Sequence, residues 1–442
     1  MKYKQYQKYK DSGVEWIGEI PEHWESRKLK FTTKFENSTI DRHVYDDEIP
    51  VSICHYPQVY NNETISLKTE LPKGTCNQKE FENFRLKKDD VLITKDSETP
   101  DDIGVPVYIL DDFKNSVCGY HIAQLSTDKN QLLGGFLFRF IQSSYVNAYF
   151  ETEANGITRY GLGKDSISNL IIPLPPKPEQ QQIYDFLQKE TKQFSNLISK
   201  SQSQINLLQE KRQALINHAV TKGLDPTVPM KDSGVEWIGE IPEHWEVRKI
   251  KHAFGKIGSG TTPSSTNESY YGDEIHWVNS GDLNDGYITE TKHKITKNAL
   301  DEFSTLKIYP KDTLIIALYG ATIGKLGILK IDSTVNQACC AITEPKKINQ
   351  KFLFYWLLAY RKIIISMAVG GGQPNISQST ITNLRIQTPD FKEQEQIYAF
   401  LDKETKQFDN LISKSQSQIK MLQEKRQAII TAAVTGKIDV RK

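Results

Sequence analysis

The sequence predicts an α/β protein in which two α/β domains are separated by two long antiparallel coiled-coil helices, a tandem repeat with pseudo-two-fold symmetry. Three observations carry this expectation. KDSGVEWIGEIPEHWE at Lys10–Glu25 recurs letter for letter at Lys231–Glu246, half the length of the 442-residue chain further on. The stretch EQQQIYDFLQKETKQFSNLISKSQSQINLLQEKRQAL from Glu179 recurs almost unchanged from Glu393. Between these landmarks lie two inserts with only faint echoes of one another: LKKDDVLIT (Leu86–Thr94) beside IYPKDTLII (Ile308–Ile316), and SNLIIPLPP (Ser168–Pro176) beside TNLRIQTPD (Thr382–Asp390). The chain therefore divides into a repeated segment (1–25), a first insert (26–172), a helix (173–226), the second copy of the segment (227–246), a second insert (247–387) and a last helix (388–442).

Each helix is read from a heptad. Leu187, Phe194, Leu208 and Leu215 fall at d and Tyr184, Ile198, Ile205 and Ala219 at a, and the register repeats with Leu401, Phe408, Leu422 and Ile429 at d and Tyr398, Ile412, Ile419 and Ala433 at a. Prolines 173, 175, 176 and 178 bound the first helix in front, and Gly223 and Pro226 stop it behind, leaving about 42 residues. Two helices with one apolar stripe each are expected to pair. Ser201, Arg212, Ser415 and Arg426 interrupt the stripes, either fixing the register or merely tolerated there. In the first insert DVLIT and VPVYIL read as strands, and Gly134–Phe150 as one helix ended by Asn155 and Gly156. In the second, Asp312–Gly320 and Lys325–Ile331 read as strands and Phe352–Val369 as the corresponding helix, ended by three glycines.

With 38% hydrophobic and 25% charged residues the chain can fill two or three cores, and its net charge of +1 neither announces nor excludes a nucleic-acid partner. The longest apolar run, Phe352–Tyr360, is far short of the ~20 residues of a membrane-spanning helix, and MKYKQYQKYK has no apolar signal region, so a cytoplasmic protein is expected. Five cysteines without CxxC spacing argue against a zinc ribbon or a disulfide framework. Catalytic signatures fail as well. GATIGK (Gly320–Lys325) is too short between its glycines for a phosphate loop and is followed by Leu326, and Lys164 is followed by Asp165. GKIGSG (Gly255–Gly260) has the wrong spacing for a dinucleotide fingerprint, and neither an NPPY tetrapeptide nor HExxH occurs. Only Pro100, Asp101, Asp112 and Lys114 can be strained into a metal-dependent nuclease pattern.

A direct repeat of EWIGEIPEHW, two dissimilar inserts and two near-identical helices resemble the specificity subunit of Type I restriction-modification systems. In the second insert KIGSGTTPSS (Lys256–Ser265), IHWVNSGDL (Ile275–Leu283), GATIGKLGI (Gly320–Ile328) and VNQACCAI (Val335–Ile342) look like that family's target recognition domain motifs. The first insert lacks the SGTTP turn, and SETPDDIGVP (Ser97–Pro106) stands where GATIGK does. The resemblance implies a non-catalytic reader of double-stranded DNA. Two target recognition domains each read part of a bipartite, asymmetric site, while the helices recruit two modification (methyltransferase) subunits, which restriction (translocase and nuclease) subunits join. S-adenosylmethionine, ATP and magnesium then belong to those partners, and no metal or cofactor is expected in this chain.

The second insert holds 17 Lys plus Arg against 11 Asp plus Glu, a balance of +6, the sign that phosphate contact needs; the first holds 17 against 21, or −4, so its DNA face must be local, from groups such as Arg27, Lys28, Lys30 and Lys34. Polar side chains on loops match the hydrogen-bonding pattern of the major groove. Thr261, Thr262 and Ser264 lie in the SGTTPS turn, Gln373 and Asn375 follow the triple glycine, and Thr158, Arg159 and Tyr160 occupy the equivalent loop after Gly156. Lys292, Lys294 and Lys297 are candidate phosphate contacts. His55, Tyr56 and His121 are further candidates, for which buried hydrogen-bonding roles serve equally well. Identity between the helices extends to positions that packing alone would not fix, and Lys189, Lys192, Lys200 and Lys211 with Lys403, Lys406, Lys414 and Lys425 are the expected partner-binding residues. Two other classes remain open at this stage. A self-contained nuclease or methyltransferase would act without partners, and a coiled-coil adaptor would show no preference among DNA sequences.

Overall fold

The computed structural model describes residues 3–370 and 374–441. The chain forms two compact units, residues 1–202 with 416–442 and residues 203–415. In the first unit a five-stranded sheet runs in the order Thr33–Asn37, Ile122–Thr127, Val91–Thr94, Pro106–Ile109, Thr64–Ile65, and a three-stranded sheet in the order Ser116–Cys118, Ile49–Cys54, Lys73–Cys76. The second unit repeats both. Its five strands are Phe254–Ser259, Cys339–Pro345, Leu314–Ala317, Leu326–Leu329 and Gly286–Ile288, and its three are Lys294–Ile295, Tyr271–Val278 and Thr334–Val335. The pairing senses agree strand for strand: three antiparallel pairs and one parallel pair in the larger sheet, one of each in the smaller.

The faint echoes between the inserts mark equivalent turns and strands. Asp89 and Asp312 take the left-handed conformation (φ +76° and +65°) just before the strands Val91–Thr94 and Leu314–Ala317, a position where a short side chain that bonds locally is tolerated. Ile171–Leu174 pairs with Glu25–Lys28 as Arg385–Thr388 does with Glu246–Lys249. The predicted helix Gly134–Phe150 is instead two helices, Gly134–Ile141 and Ser144–Glu153. Ser143 caps the second by accepting from the Val146 N–H, and the Gln142 carbonyl at the break accepts from Gln427. In the second unit the corresponding helix is continuous over Gln350–Ser366.

The two long helices span Lys177–Lys222 and Phe391–Val434. Pro178 lies inside the first turn, where its missing N–H leaves no bond unmade, so the helix begins earlier than the proline pattern predicts. The stripe is buried at Leu187, Ile205, Ala219, Leu401 and Ala433, and Ser201 and Ser415 lie within it. The interrupting arginines differ in their partners: Arg212 Nε lies 2.9 Å from Asp409, whereas Arg426 is paired with Glu63 of the first insert. Buried Arg139 (1% exposed) bonds Gln188 and Thr191 of the first long helix at 2.6 and 3.0 Å; in the second unit Tyr355 bonds Thr405, the matching threonine, at 3.0 Å.

Each repeated segment is clamped to the start of a long helix. Glu179, nearly buried, accepts from the Trp24 indole N–H at 3.1 Å and the Tyr6 hydroxyl at 2.6 Å, with His23 Nε2 at 2.8 Å. Glu393 receives Trp245 at 3.0 Å and His244 at 2.8 Å. The next residue ties in the insert: Gln180 accepts from the Leu133 N–H and donates to the carbonyls of Gln131 and Pro175, while Gln394 does the same with Asn349, Lys347 and Pro389. Replacing Glu179 by Leu strands the Tyr6 hydroxyl and the Trp24 N–H, at a cost of about 1–3 kcal/mol per buried unpaired group. Glu393→Leu should cost less, because Glu393 is more exposed and, among the described residues, has no tyrosine donor. Urea unfolding of both variants tests this, and equal losses would contradict it.

Candidate nucleic-acid interface

In both units the chain that leaves the domain's last large helix closes a loop on itself. Asn155 and Gly161 exchange backbone hydrogen bonds of 3.1 and 2.9 Å, and Val369 and Asn375 exchange two of 3.0 Å. The two closures are related by the same offset as the two long helices. Each loop lies beside one further segment. Tyr160 and Gly161 pair with Ser97 and Asp96, at the start of SETPDDIGVP, and Asn375 pairs with Tyr319, next to GATIGK. The two segments that the sequence matched therefore flank equivalent loops. Gly156 permits the closure in the first unit, since a Cβ there would stand 2.0 Å from the Arg159 carbonyl oxygen. Gln373 lies outside the described residues.

Thr158 and Arg159 are exposed and line a cleft of about 900 Å³ together with His55, Tyr56 and His121. His121 Nδ1 lies 2.5 Å from Asp96 Oδ2, and Tyr56 and Tyr60 stack at 5.7 Å. Burial, aided by nearby Arg42, lowers the His55 pKa and favours its neutral form. Arg42 and His43 also line the cleft, on the connection between Thr33–Asn37 and Ile49–Cys54. In the second unit the SGTTPS turn makes that same connection, between Phe254–Ser259 and Tyr271–Val278. Sequence reasoning missed Arg42, because STIDRHVYDDE lacks the Gly and Pro of the SGTTPS turn and only the strand order reveals the match.

The SGTTPS turn is fixed from below. A Cβ on Gly260 would stand 1.6 Å from the Val335 carbonyl oxygen, Thr262 bonds Gln337, and the Tyr271 hydroxyl donates to the Pro263 carbonyl at 2.7 Å. Ser264 bonds Thr266 at 2.8 Å, and Thr261 is half-buried. Asn336 donates to Asn279 at 2.9 Å, which joins VNQACCAI to IHWVNSGDL. Lys292, Lys294 and Lys297 stand among carboxylates: the Lys292 N–H bonds Asp282, Lys294 Nζ is 3.9 Å from Asp273, and the Lys297 N–H bonds Glu274. Of the basic groups expected to face DNA in the first insert, Arg27 pairs with Glu25, Lys30 bonds Asn169 and Lys34 pairs with Glu36. Among the described residues no three His, Cys, Asp or Glu side chains converge as a metal site, and no helix is long and apolar enough to cross a membrane. All five cysteines are buried free thiols.

Lys325 of GATIGK serves an ion cluster. Asp285 accepts from Lys325 Nζ at 3.1 Å, from Arg361 Nη1 at 3.0 Å and from the Leu326 N–H at 3.0 Å. Burial raises the Asp285 carboxyl's pKa, but Arg361, the Leu326 N–H and Lys325 outweigh it and hold the pKa below its ordinary value.

A duplicated α/β frame that presents matched polar loops of different composition is the architecture of a sequence reader. A family model described as "Type I restriction modification DNA specificity domain" matches residues 21–207 and 242–421, and the chain belongs to this family, as a non-catalytic specificity subunit. It is 28% identical over 323 residues to the MjaVIII specificity subunit of a Type I restriction enzyme from Methanocaldococcus jannaschii, covering 71% of this chain and 72% of that one. It is 24% identical over 410 residues to the HindI specificity subunit from Haemophilus influenzae, covering 80% and 87%. It shares a fold with a chain from a structure of complex assembly and conformational transition of the type I R-M system (TM-score 0.71, 14% identity, 94% and 98% covered). The HsdS subunit from Thermoanaerobacter tengcongensis superposes with a TM-score of 0.50 at 15% identity, with 95% and 98% covered.

A carboxylate whose folded pKa is depressed contributes stability above its unfolded pKa and loses it as pH falls through the folded value. Asp285→Asn should therefore lower the urea midpoint at neutral pH and flatten its decline in acid. Parallel pH profiles for variant and parent would contradict the ion cluster's role.

Proposed function

We propose that the chain reads a bipartite, asymmetric site in double-stranded DNA, one half-site per insert, as the target recognition domains of a Type I restriction-modification complex. The observation that carries this reading is the loop closure repeated in both units with different letters on it: Thr158, Arg159 and Tyr160 in one, Gln373 and Asn375 in the other. Domains of one topology with unlike loops present unlike donor and acceptor patterns to the groove. Thr261, Thr262 and Ser264 add a second contact segment in the second domain, and Lys292, Lys294 and Lys297 contact phosphates.

The two long helices pair as an antiparallel coiled coil between the recognition domains and dock two modification subunits, which restriction subunits join. Two equivalent outer faces support this. Lys189, Lys192, Lys200 and Lys211, with Lys403, Lys406, Lys414 and Lys425, are all exposed. Leu197 and Leu411, each 47% exposed, match one another, as do Leu207 and Met421 at 50% and 53%. Apolar side chains left in solvent at matching positions of both helices fit two copies of one partner. S-adenosylmethionine, ATP and magnesium belong to those partners, and the assembly works in the cytoplasm.

Co-expression with a modification subunit followed by native mass measurement should give one specificity chain with two modification subunits. Methylome sequencing of the same cells should return a split motif with unlike halves. A complex that saturates at one modification subunit, or a motif with identical halves, would contradict the proposal.

A further inference from the structure

We propose that the first recognition domain reads a guanine through Arg159, with the Ile157 side chain against a neighbouring thymine methyl and Arg42 on the phosphate backbone. This rests on the DNA-reading function above and specifies how the more acidic of the two domains carries it out.

The argument begins with charge inside the cleft. Four carboxylates line it, and three are engaged. Asp96 is held by His121 at 2.5 Å, Asp102 accepts from the Tyr60 hydroxyl at 2.8 Å, and Asp41 accepts from the His43 N–H at 2.8 Å with the His43 ring at 3.2 Å. Glu98 is the fourth. Arg42 and Arg159 also line the cleft, yet among the described residues no carboxylate lies within ion-pairing distance of either. Three of the four acids of the cleft are thus occupied by tyrosine and histidine donors, and Glu98 is not within ion-pairing distance of either guanidinium, which leaves both forks available to an outside acceptor. A planar fork of donors matches the O6 and N7 acceptors of guanine or the oxygens of a phosphate.

Position separates the two arginines. Arg159 sits on the loop closed by Asn155 and Gly161 and pinned again where Tyr160 pairs with Ser97, and Gly156 abuts its carbonyl. A reader of base edges needs this fixed backbone, because discrimination depends on holding donors in place. Two residues before it, Ile157 is 93% exposed. That isoleucine has no protein surface to cover, and an apolar side chain beside an arginine at a loop tip matches the thymine methyl, the one apolar feature of the major groove. Arg42 lies on the longer connection Ser38–Glu48, among Asp41, His43 and exposed Val44 and Tyr45. Contacts from such a segment position the duplex without reading it.

The test is selection from a random duplex library by the assembled complex of this chain with its modification subunit, for the parent and for Arg159→Ala, Ile157→Ala and Arg42→Ala. All three side chains are exposed, so assembly of each variant, checked by native mass, is expected to be unimpaired. The parent should enrich a half-site containing guanine. Arg159→Ala should flatten the preference at that one base pair by about ten- to a hundredfold and leave the other half-site unchanged. Replacing that guanine by 7-deazaguanine, which removes N7, should weaken the parent and leave Arg159→Ala unmoved. Deoxyuridine in place of the neighbouring thymine should weaken the parent but not Ile157→Ala. Arg42→Ala should weaken all duplexes alike and reduce the salt slope by about one. Equal weakening of every sequence by Arg159→Ala would make it a phosphate contact and overturn the inference, as would a first half-site without guanine. A parent complex that enriches no motif would instead overturn the DNA-reading function itself.

Discussion

The fold depends on a carboxylate at the start of each long helix, buried at Glu179 and half-buried at Glu393. Glu179 and Glu393 each collect the indole N–H of a tryptophan and the ring of the preceding histidine from a repeated segment. The tryptophans, Trp24 and Trp245, are fully buried, so they cannot leave these bonds without stranding a donor. The adjacent Gln180 and Gln394 then bind the backbone just ahead of the large helix of each insert. Two consecutive side chains on the helix thereby fix the frame and the insert together. This explains why EHW and the EQ that receives it survive in both halves, while the residues between them diverge.

Within the frame, topology is held and identity is free. Strands such as Val91–Thr94 and Leu314–Ala317 are buried on both faces, which requires only apolar residues of suitable volume. The turn before each is more demanding, and an aspartate stays there. Surface loops have neither constraint, so SGTTPS in one domain stands opposite STIDRHVYDDE in the other.

What was legible in the sequence follows that division. The repeats, the heptad helices and the strand pairs are periodic patterns or literal copies, and the loops after Gly156 and the triple glycine could be placed because their distance from the copied helices is the same. The break at Ser143 was not legible, since the polar pair Gln142 and Ser143 fits a helix until its partners, Gln427 and the Val146 N–H, are known. Nor was the cleft. Arg42, Arg159, Tyr60 and Asp102 come from separate parts of the first insert and meet only through strand order. Nor does a sequence show that Asp282, Asp273 and Glu274 fold back beside the lysines at 292, 294 and 297.

If the frame and its two glutamate clamps are common to both halves and only the inserts carry recognition, the inserts should be exchangeable. Residues 26–172 can be replaced by a second copy of 247–387, which supplies the Asn349 and Lys347 partners for Gln180 on an unchanged first helix. Methylome sequencing of cells that carry this chain with its modification subunit should return a palindrome built from the second half-site. Methylation at the parental asymmetric motif would contradict the account, because specificity would then reside in the frame.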